Sequence, residues 1–398
     1  MMADISLVET VSKIDPHEWD DLVGGNILLS HSWLRLIEDT SKIPTKFRYL
    51  LARDNSKILA ALFCWGQNQE LIPTSLDHVL YGRFAGTARL TGLTLQPSLI
   101  CGALGGYHQG IMFRKDLSGT DRKNLLTLLL VSVEDMARIE GHTLCFRQFP
   151  TEDNDAANVL SSRRYLCTPE FPLTYLDIEW NSFATYLKTL KRWHPGAEKS
   201  IRNEINRSRR AGVMIHRLKD TSSVFSRLHA VADAHYKRLN TSPFPYQPDF
   251  FGKIKEYLGD KVVIYTAVKG EQIIGVLIML RSNGNAFLPI IGIDTEYVHK
   301  DGIYFNLAFN QPIRDGIESG LRRLYFGILL YGTKLRRGCR LADANIYLKT
   351  EGRISHLIMR PIIACRSWKM RLMLSSLSRC IQAQAIRDLP VQAGDHPT

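Results

Sequence analysis

The segment AFLPIIGIDTEYVHKDGIYFNLAFNQPIRDGIESGLRRLYFGILLYG, Ala286 to Gly332, decides the fold. Ala286 to Ile293 is an apolar run that follows Asn283-Gly284, a pair suited to the positive φ angles of a tight hairpin turn. Asp294 to Gly302 is polar. Phe305, Phe309, Ile313 and Ile317 then recur every four residues, which places them on one helical face, and Gly320 ends the helix. Leu324 to Ile328 is short and apolar, a second strand. Strand, loop, helix and strand in this order predict a βαβ unit with two parallel strands. At its strand ends, the unpartnered N–H groups and dipole of a helix N-terminus attract anions. His299-Lys300-Asp301-Gly302 is therefore a candidate phosphate or pyrophosphate loop.

Upstream, Val213 to Leu218 reads as a strand, Ser222 to Lys237 and Pro248 to Leu258 as helices, and Val262 to Val268 with Gln272 to Leu280 as a strand pair. From Val213 the predicted order is β, α, α, β, β, β, α, β. The first half echoes it. Tyr49 to Ala61 has the strand, polar turn, strand pattern of Tyr265 to Val276, and Glu134 to Phe149 repeats the helix, glycine, strand pattern of Arg314 to Leu329. The fold class is thus α/β with mixed sheets in two similar halves, divided as residues 1–170 and 171–398. Residues 72–110, rich in Gly, Pro and Thr, resist assignment.

The chain has 398 residues, 51 Lys plus Arg against 39 Asp plus Glu, and a net charge of +12, a balance that favours anionic partners. Its 7 cysteines are dispersed without CxxC spacing, which favours reduced thiols over a disulfide frame or a zinc site. No basic segment followed by an apolar core opens the chain, and the longest apolar run, Leu125 to Val133, is well short of the roughly 18 residues of a membrane span. The expected location is cytoplasmic. GxSxG, HExxH and Walker A sequences are absent, leaving hydrolase, zinc-protease and P-loop readings unsupported, and no metal site is expected.

Several stretches resemble the Fem-type and peptidoglycan-recognition-like branch of the GNAT acyltransferases. LKTLKRWHPGAEKSIRNEINRSRRAGVMIHRL (187–218) resembles the basic helix before their second domain. HYKRLNTSPFPYQPDFF (235–251), the segment from Gly292 to Gly327 and YGTKLRRGC (331–339) resemble later segments; EWDDLVGGN (18–26), SHSWLRLIED (30–39) and LLARDNSKILAALF (50–63) fit the first domain. The resemblance implies two tandem GNAT-like domains, with a donor site in the second. It implies transfer of an acyl or aminoacyl group to the amine of a small molecule or cell-wall-type precursor, by direct attack without a covalent enzyme intermediate. The donor's acyl arm would lie between the fourth and fifth strands. Coenzyme A-binding members carry Gln/Arg-x-x-Gly-x-Gly/Ala before the helix, whereas Val298 to Tyr304 has one glycine. Acyl-CoA and aminoacyl-tRNA both remain open as donor co-substrates; neither would be a tightly bound cofactor.

Acyl transfer needs a deprotonated amine, a polarised carbonyl and placement. Asp294 and Glu296, just past the strand, are candidates for the base or for binding the substrate ammonium, or else they cap the loop. Tyr304 and Tyr331 are candidate proton donors to a leaving group, or packed aromatics. His299, Lys300 and Gly302, then Lys334, Arg336 and Arg337, are candidate donor-phosphate contacts; the last three equally fit a solvated helix face. Lys191, Arg192 and Arg202 belong to a basic run, Lys188 to Arg217, that fits tRNA or another polyanion as well as simple solubility. A non-catalytic RNA-binding module on a degenerate GNAT fold is the alternative class. The tail, Ile362 to Ile386, mixes Trp368, Leu372, Leu374, Leu377 and Ile381 with Lys369, Arg371 and Arg379. It suits either peripheral contact with an anionic membrane or packing on the second half. Oligomeric state is not encoded in these patterns.

Overall fold

Two mixed sheets share one chain in the computed structural model, which describes residues 3–42, 45–55, 57–67, 75–194, 196–240, 243–298, 301–350 and 352–387. In chain order the strands are β1 (Asp4–Val8), β2 (Phe47–Asp54), β3 (Lys57–Gln67), β4 (Ser98–Cys101), β5 (Ile111–Phe113), β6 (Thr143–Pro150), β7 (Leu166–Pro169) and β8 (Leu173–Asp177). They continue with β9 (Val213–Leu218), β10 (Val262–Lys269), β11 (Gln272–Ser282), β12 (Asn285–Ile293), β13 (Arg323–Gly327), β14 (Arg340–Ala342) and β15 (Ala344–Lys349). The first sheet runs β1-β2-β3-β4-β6-β15-β7, with β5 also beside β3, and the second β9-β10-β11-β12-β13-β8-β14. The two orders correspond strand for strand. In each, one pair is parallel, β4 with β6 and β12 with β13. The repeat in the sequence is thus a repeat of topology, and the βαβ unit around Ala286 is present.

The expected division falls between β7 and β8, but the chain recrosses it. β8 takes the sixth place in the second sheet, and β15 returns to take the sixth place in the first, between β6 and β7. This return carries the tail with it. The helix Arg353–Arg387 packs mainly on the first half, not the second: Met359 and Ile363 enter a core shared with Leu76 and Leu80, and the Arg366 guanidinium donates to Val79 O at 3.1 Å and Thr168 Oγ1 at 2.8 Å. The stretch that resisted assignment contains two short helices, Leu76–Tyr81 and Ala85–Leu90, and then β4.

Local chemistry accounts for the turns. Asn283 and Gly284 both have positive φ, 49° and 77°, as their pairing predicts for the β11–β12 hairpin. Helix Phe225–Asn240 lies so close to β12 that a Cβ on Gly292 would come 2.7 Å from the Ala232 Cα. The helix after β12 is continuous but not uniform, with a π-helical turn, Asn306–Asn310, between Ile303–Phe305 and Gln311–Glu318. Phe309, Ile313 and Ile317 of its expected face are buried.

A single buried cluster spans both halves, joining Trp19, Trp33, Tyr49 and Phe63 to Phe244, Phe250, Phe251 and Ile278. Trp33 meets Phe250 edge to face at 6.2 Å. Burial of aromatic surface at this seam ties the two sheets into one body. Phe250→Ala is therefore expected to cost about 3–5 kcal/mol and to shift unfolding of both halves together; urea titrations followed by near-UV and far-UV circular dichroism should give one coincident transition.

Candidate active site

β12 and β13 pair through only three residues each, Asn285 to Phe287 against Arg323 to Tyr325. Beyond Phe287, β12 runs on to Ile293, while β13 leaves the sheet at Gly327, φ 70°. A cavity of about 850 Å³ opens where they part, with Leu288 and Ile291 on the β12 side and Phe326 and Ile328 on the other. Tyr304, Phe305 and Phe309 of the π-containing helix line it, as do Ser200, Asn203, Glu204 and Arg207 of helix Ala197–Arg210.

The first half holds the parting open. Tyr107, on the loop between β4 and β5, adopts φ 80°, and its hydroxyl donates to the Leu288 carbonyl at 3.3 Å while its ring stands edge-on to Phe287 at 5.7 Å. A Cβ on Gly327 would lie 2.8 Å from that hydroxyl, so a side chain there would force Tyr107 to shift as well as take a left-handed backbone. After β13, Leu329 and Leu330 both take left-handed backbone, φ 67° and 51°, a strained pair for residues with side chains.

Lys334 closes the end of β13. Its ammonium donates to the carbonyls of Phe326, Gly327 and Ile328 at 2.9, 3.1 and 2.9 Å, and the residue is 3 % exposed on the cavity wall. Burial brings its pKa from the usual 10.5 down to about 8. Among the described residues no carboxylate forms an ion pair with it, so its charge is directed at strand-end carbonyls and the cavity. The three neighbours Lys334, Arg336 and Arg337 do not share a face: Arg336 is exposed, and Arg337 is buried. Arg337 Nη2 donates to both carboxylate oxygens of Glu204, at 2.8 and 2.7 Å, and its guanidinium lies over the Phe305 and Phe309 rings at 5.3 and 4.9 Å.

Glu204 also accepts from Asn310 Nδ2 at 3.0 Å, and Asn306 Nδ2 donates to the Glu204 carbonyl at 2.9 Å and to Ser208 Oγ at 2.7 Å. The π-turn places both asparagines against the basic helix. Ser208 Oγ donates to the Asp301 carbonyl, and a Cβ on Gly302 would come 3.0 Å from the Glu204 carbonyl. The turn before the helix is thus clamped by the basic helix. Gly302 lines the cavity; His299 and Lys300 lie outside the described residues.

Of the remaining candidates, Tyr304 lines the cavity, and burial raises its pKa. Tyr331 is buried elsewhere, donating to Pro172 O at 2.9 Å. Asp294 pairs with Arg227 at 2.8 Å and caps the short turn Thr295–Tyr297; Glu296 is exposed on that turn. Neither carboxylate is on the cavity wall. Lys191, Arg192 and Arg202 are exposed, and Arg202 pairs with Glu198 at 2.7 Å.

His235 is not among the residues singled out from sequence. It lines the cavity at 3 % exposure, its Nδ1 is buried without a hydrogen-bond partner, and burial lowers its pKa to about 4, so it is neutral across the physiological range. A solitary histidine in a helical pattern carries no signal until the cavity is seen.

Residues 10–349 match the FemAB-like family of peptidoglycan biosynthesis and recognition. The chain belongs to that family. The fold agrees. The crystal structure of FemX aligns over 86% of this FemAB-like chain and 96% of its own at 11% identity, with a TM-score of 0.52. L-PGS from Bacillus licheniformis aligns over 88% and 97% at 15% identity and 0.52. The C-terminal domain of an Agrobacterium fabrum protein assigned as a lysylphosphatidylglycerol synthetase aligns over 88% and 96% at 11% identity and 0.53. No curated protein sequence matches.

The Tyr107–Gly327 contact is testable by a double-mutant cycle. Gly327→Ala is expected to destabilise the FemAB-like fold by about 1–3 kcal/mol through left-handed strain and the clash. Tyr107→Phe, which removes the clashing oxygen, should recover part of that loss; strictly additive denaturation midpoints would show that the two residues do not meet.

Proposed function

We propose that this FemAB-like protein is an N-acyltransferase that moves an aminoacyl group from aminoacyl-tRNA to an amine, with the reacting carbonyl held where β12 and β13 part. The observation that carries this reading is the Lys334 ammonium fixed at the end of β13, on the wall of a cavity bordered by a cationic helix. That helix exposes Lys199, Arg202, Arg207, Arg209 and Arg210, and Arg207 also reaches the cavity wall. Phosphates of an acceptor stem would lie along these cations, giving salt-sensitive affinity. The single glycine at residue 302, pressed against Glu204, supports tRNA over coenzyme A, whose pyrophosphate needs a looser glycine-rich turn.

In the transfer itself, the neutral acceptor amine attacks the carbonyl carbon of the ester, a C–N bond forms, and the oxygen gains negative charge. The Lys334 ammonium, its three N–H bonds held by the β13 carbonyls, acts on that charge through space and not by a hydrogen bond. Such preorganised stabilisation is worth roughly 10²–10³ in rate. The C–O bond to the ribose then breaks, the departing oxygen takes a proton from the Tyr304 hydroxyl, the cavity-lining donor, and the proton that the attacking nitrogen sheds as it becomes an amide restores that hydroxyl. His235, uncharged, accepts a hydrogen bond from the amine and orients its lone pair. Asp294 and Glu296 shape the turn after β12. The acceptor's nitrogen is the nucleophile, so no covalent enzyme intermediate forms.

The direct test is binding of bulk tRNA and of coenzyme A across a salt series, followed by consumption of charged tRNA with an amine acceptor. Tight, salt-sensitive tRNA binding with turnover is expected. Salt-resistant coenzyme A binding would move the donor to acyl-CoA, and tRNA binding without turnover would leave a binding module. Lys334→Met should lower kcat by about 10²–10³-fold with KM for tRNA nearly unchanged, whereas Arg207→Glu should raise KM.

The pH dependence follows from the charged form. With its pKa near 8, Lys334 is mostly protonated at neutral pH, and kcat should fall as pH rises through about 8. The stability effect has the opposite sign. The unfolded lysine holds its proton up to about 10.5, so the folded state gains stability between about pH 8 and 10.5. Loss of this slope in Lys334→Met is read from urea midpoints against pH.

A further inference from the structure

The helix Arg353–Arg387 turns one face to the protein and leaves the opposite face bare. Met359, Ile363, Arg366 and Met370 point inward. Ile354, Leu357, Ile358, Cys365, Trp368 and Leu372 are all exposed, Ile354 at 75 % and Trp368 at 62 %. Their spacing of 3, 4, 11, 14 and 18 residues from Ile354 keeps them within one stripe running about five turns along the helix. The Ile354–Leu372 stripe is flanked by the exposed cations Arg353, Arg360, Lys369 and Arg371, and the whole helix contains no Asp or Glu.

The neighbouring segment has the same character. Helix Leu76–Tyr81 touches the long helix through the Tyr81 hydroxyl and Met359 Sδ at 3.2 Å. Just past it, Phe84 and Leu90 are exposed, Leu90 at 91 %, beside the exposed Arg83 and Arg89. Single exposed apolar side chains need no explanation, but a continuous stripe rimmed by one sign of charge does.

We propose that this face docks on an anionic lipid bilayer, with the long helix lying in the plane of the interface. Charge selects this occupant. A second copy of the helix would set arginines against arginines, because no acid on either copy answers them. A bilayer with anionic headgroups supplies both the apolar depth for Trp368 and Leu372 and the phosphates for the flanking cations. No helix among the described residues is long and apolar enough to cross a membrane, in keeping with a helix that lies on one. The placement would present the acyltransferase to acceptors at a membrane surface, but it stands independently of the donor reading.

The test is co-sedimentation of the full chain with vesicles of phosphatidylcholine alone or with about 30% phosphatidylglycerol. Binding to the anionic vesicles and little to the neutral ones is expected, with brominated lipid quenching emission from wild type more than from Trp368→Phe. Leu357→Glu and Leu372→Glu, both at exposed positions, should each lower the partition about tenfold or more, and Arg360→Glu with Arg371→Glu should weaken it too. Ile139→Glu, on an exposed apolar residue elsewhere, should leave it unchanged. Absence of binding to anionic vesicles, binding indifferent to the stripe substitutions, or a dimer that Leu372→Glu dissociates would overturn the proposal.

Discussion

Two parallel strands that stop pairing after three residues set the terms for the rest of the second half. Each strand then carries backbone groups with no partner across the gap, and such groups are costly inside a protein unless something else bonds them. On the β13 side the partner is Lys334, whose three N–H bonds meet three successive carbonyls. On the β12 side Tyr107 reaches across from the other half to Leu288. The opening exists because both edges are satisfied by side chains in place of one another. The same substitution of side chain for strand puts a cation at the mouth of the gap, so structure and candidate chemistry rest on one lysine.

The Glu204–Arg337 pair does a different job. Buried pairs of this kind are seldom a net source of stability, but removing one partner leaves a charge stranded. Here the carboxylate is held from the π-containing helix by Asn310 and from the segment after β13 by Arg337, and the backbone around it contacts Asn306 and Gly302. It fixes the cationic helix against the cavity. The placement of the cationic helix and the shape of the cavity are thereby mechanically linked.

Much of the architecture was legible from periodicity: the alternating halves, the Asn283-Gly284 hairpin, the parallel pair around the helix with Phe309, Ile313 and Ile317. These are short-range signals. The return of β15 to the first sheet was not legible, because a strand's own pattern says it is buried without saying against which partner. The site was legible only in outline. Lys334, Arg336 and Arg337 stand together in sequence but have different surroundings: Lys334 is buried on strand-end carbonyls, Arg337 is buried on Glu204, and Arg336 is exposed. His235 and Tyr107 depend on contacts with residues far along the chain, and nothing in their neighbours announces that.

The return of β15 also sets a timetable. A chain emerging from the ribosome presents β6, residues 143 to 150, and β7, residues 166 to 169, long before residues 344 to 349 arrive to sit between them. Until then the inner edge of β6 is a row of free hydrogen-bonding groups, and the first half is an unfinished sheet with an open, sticky margin. Completion of the first sheet waits for residues 344 to 349, after the strands of the second sheet have been made, so the two halves mature together and not in the N-to-C succession usual for tandem domains.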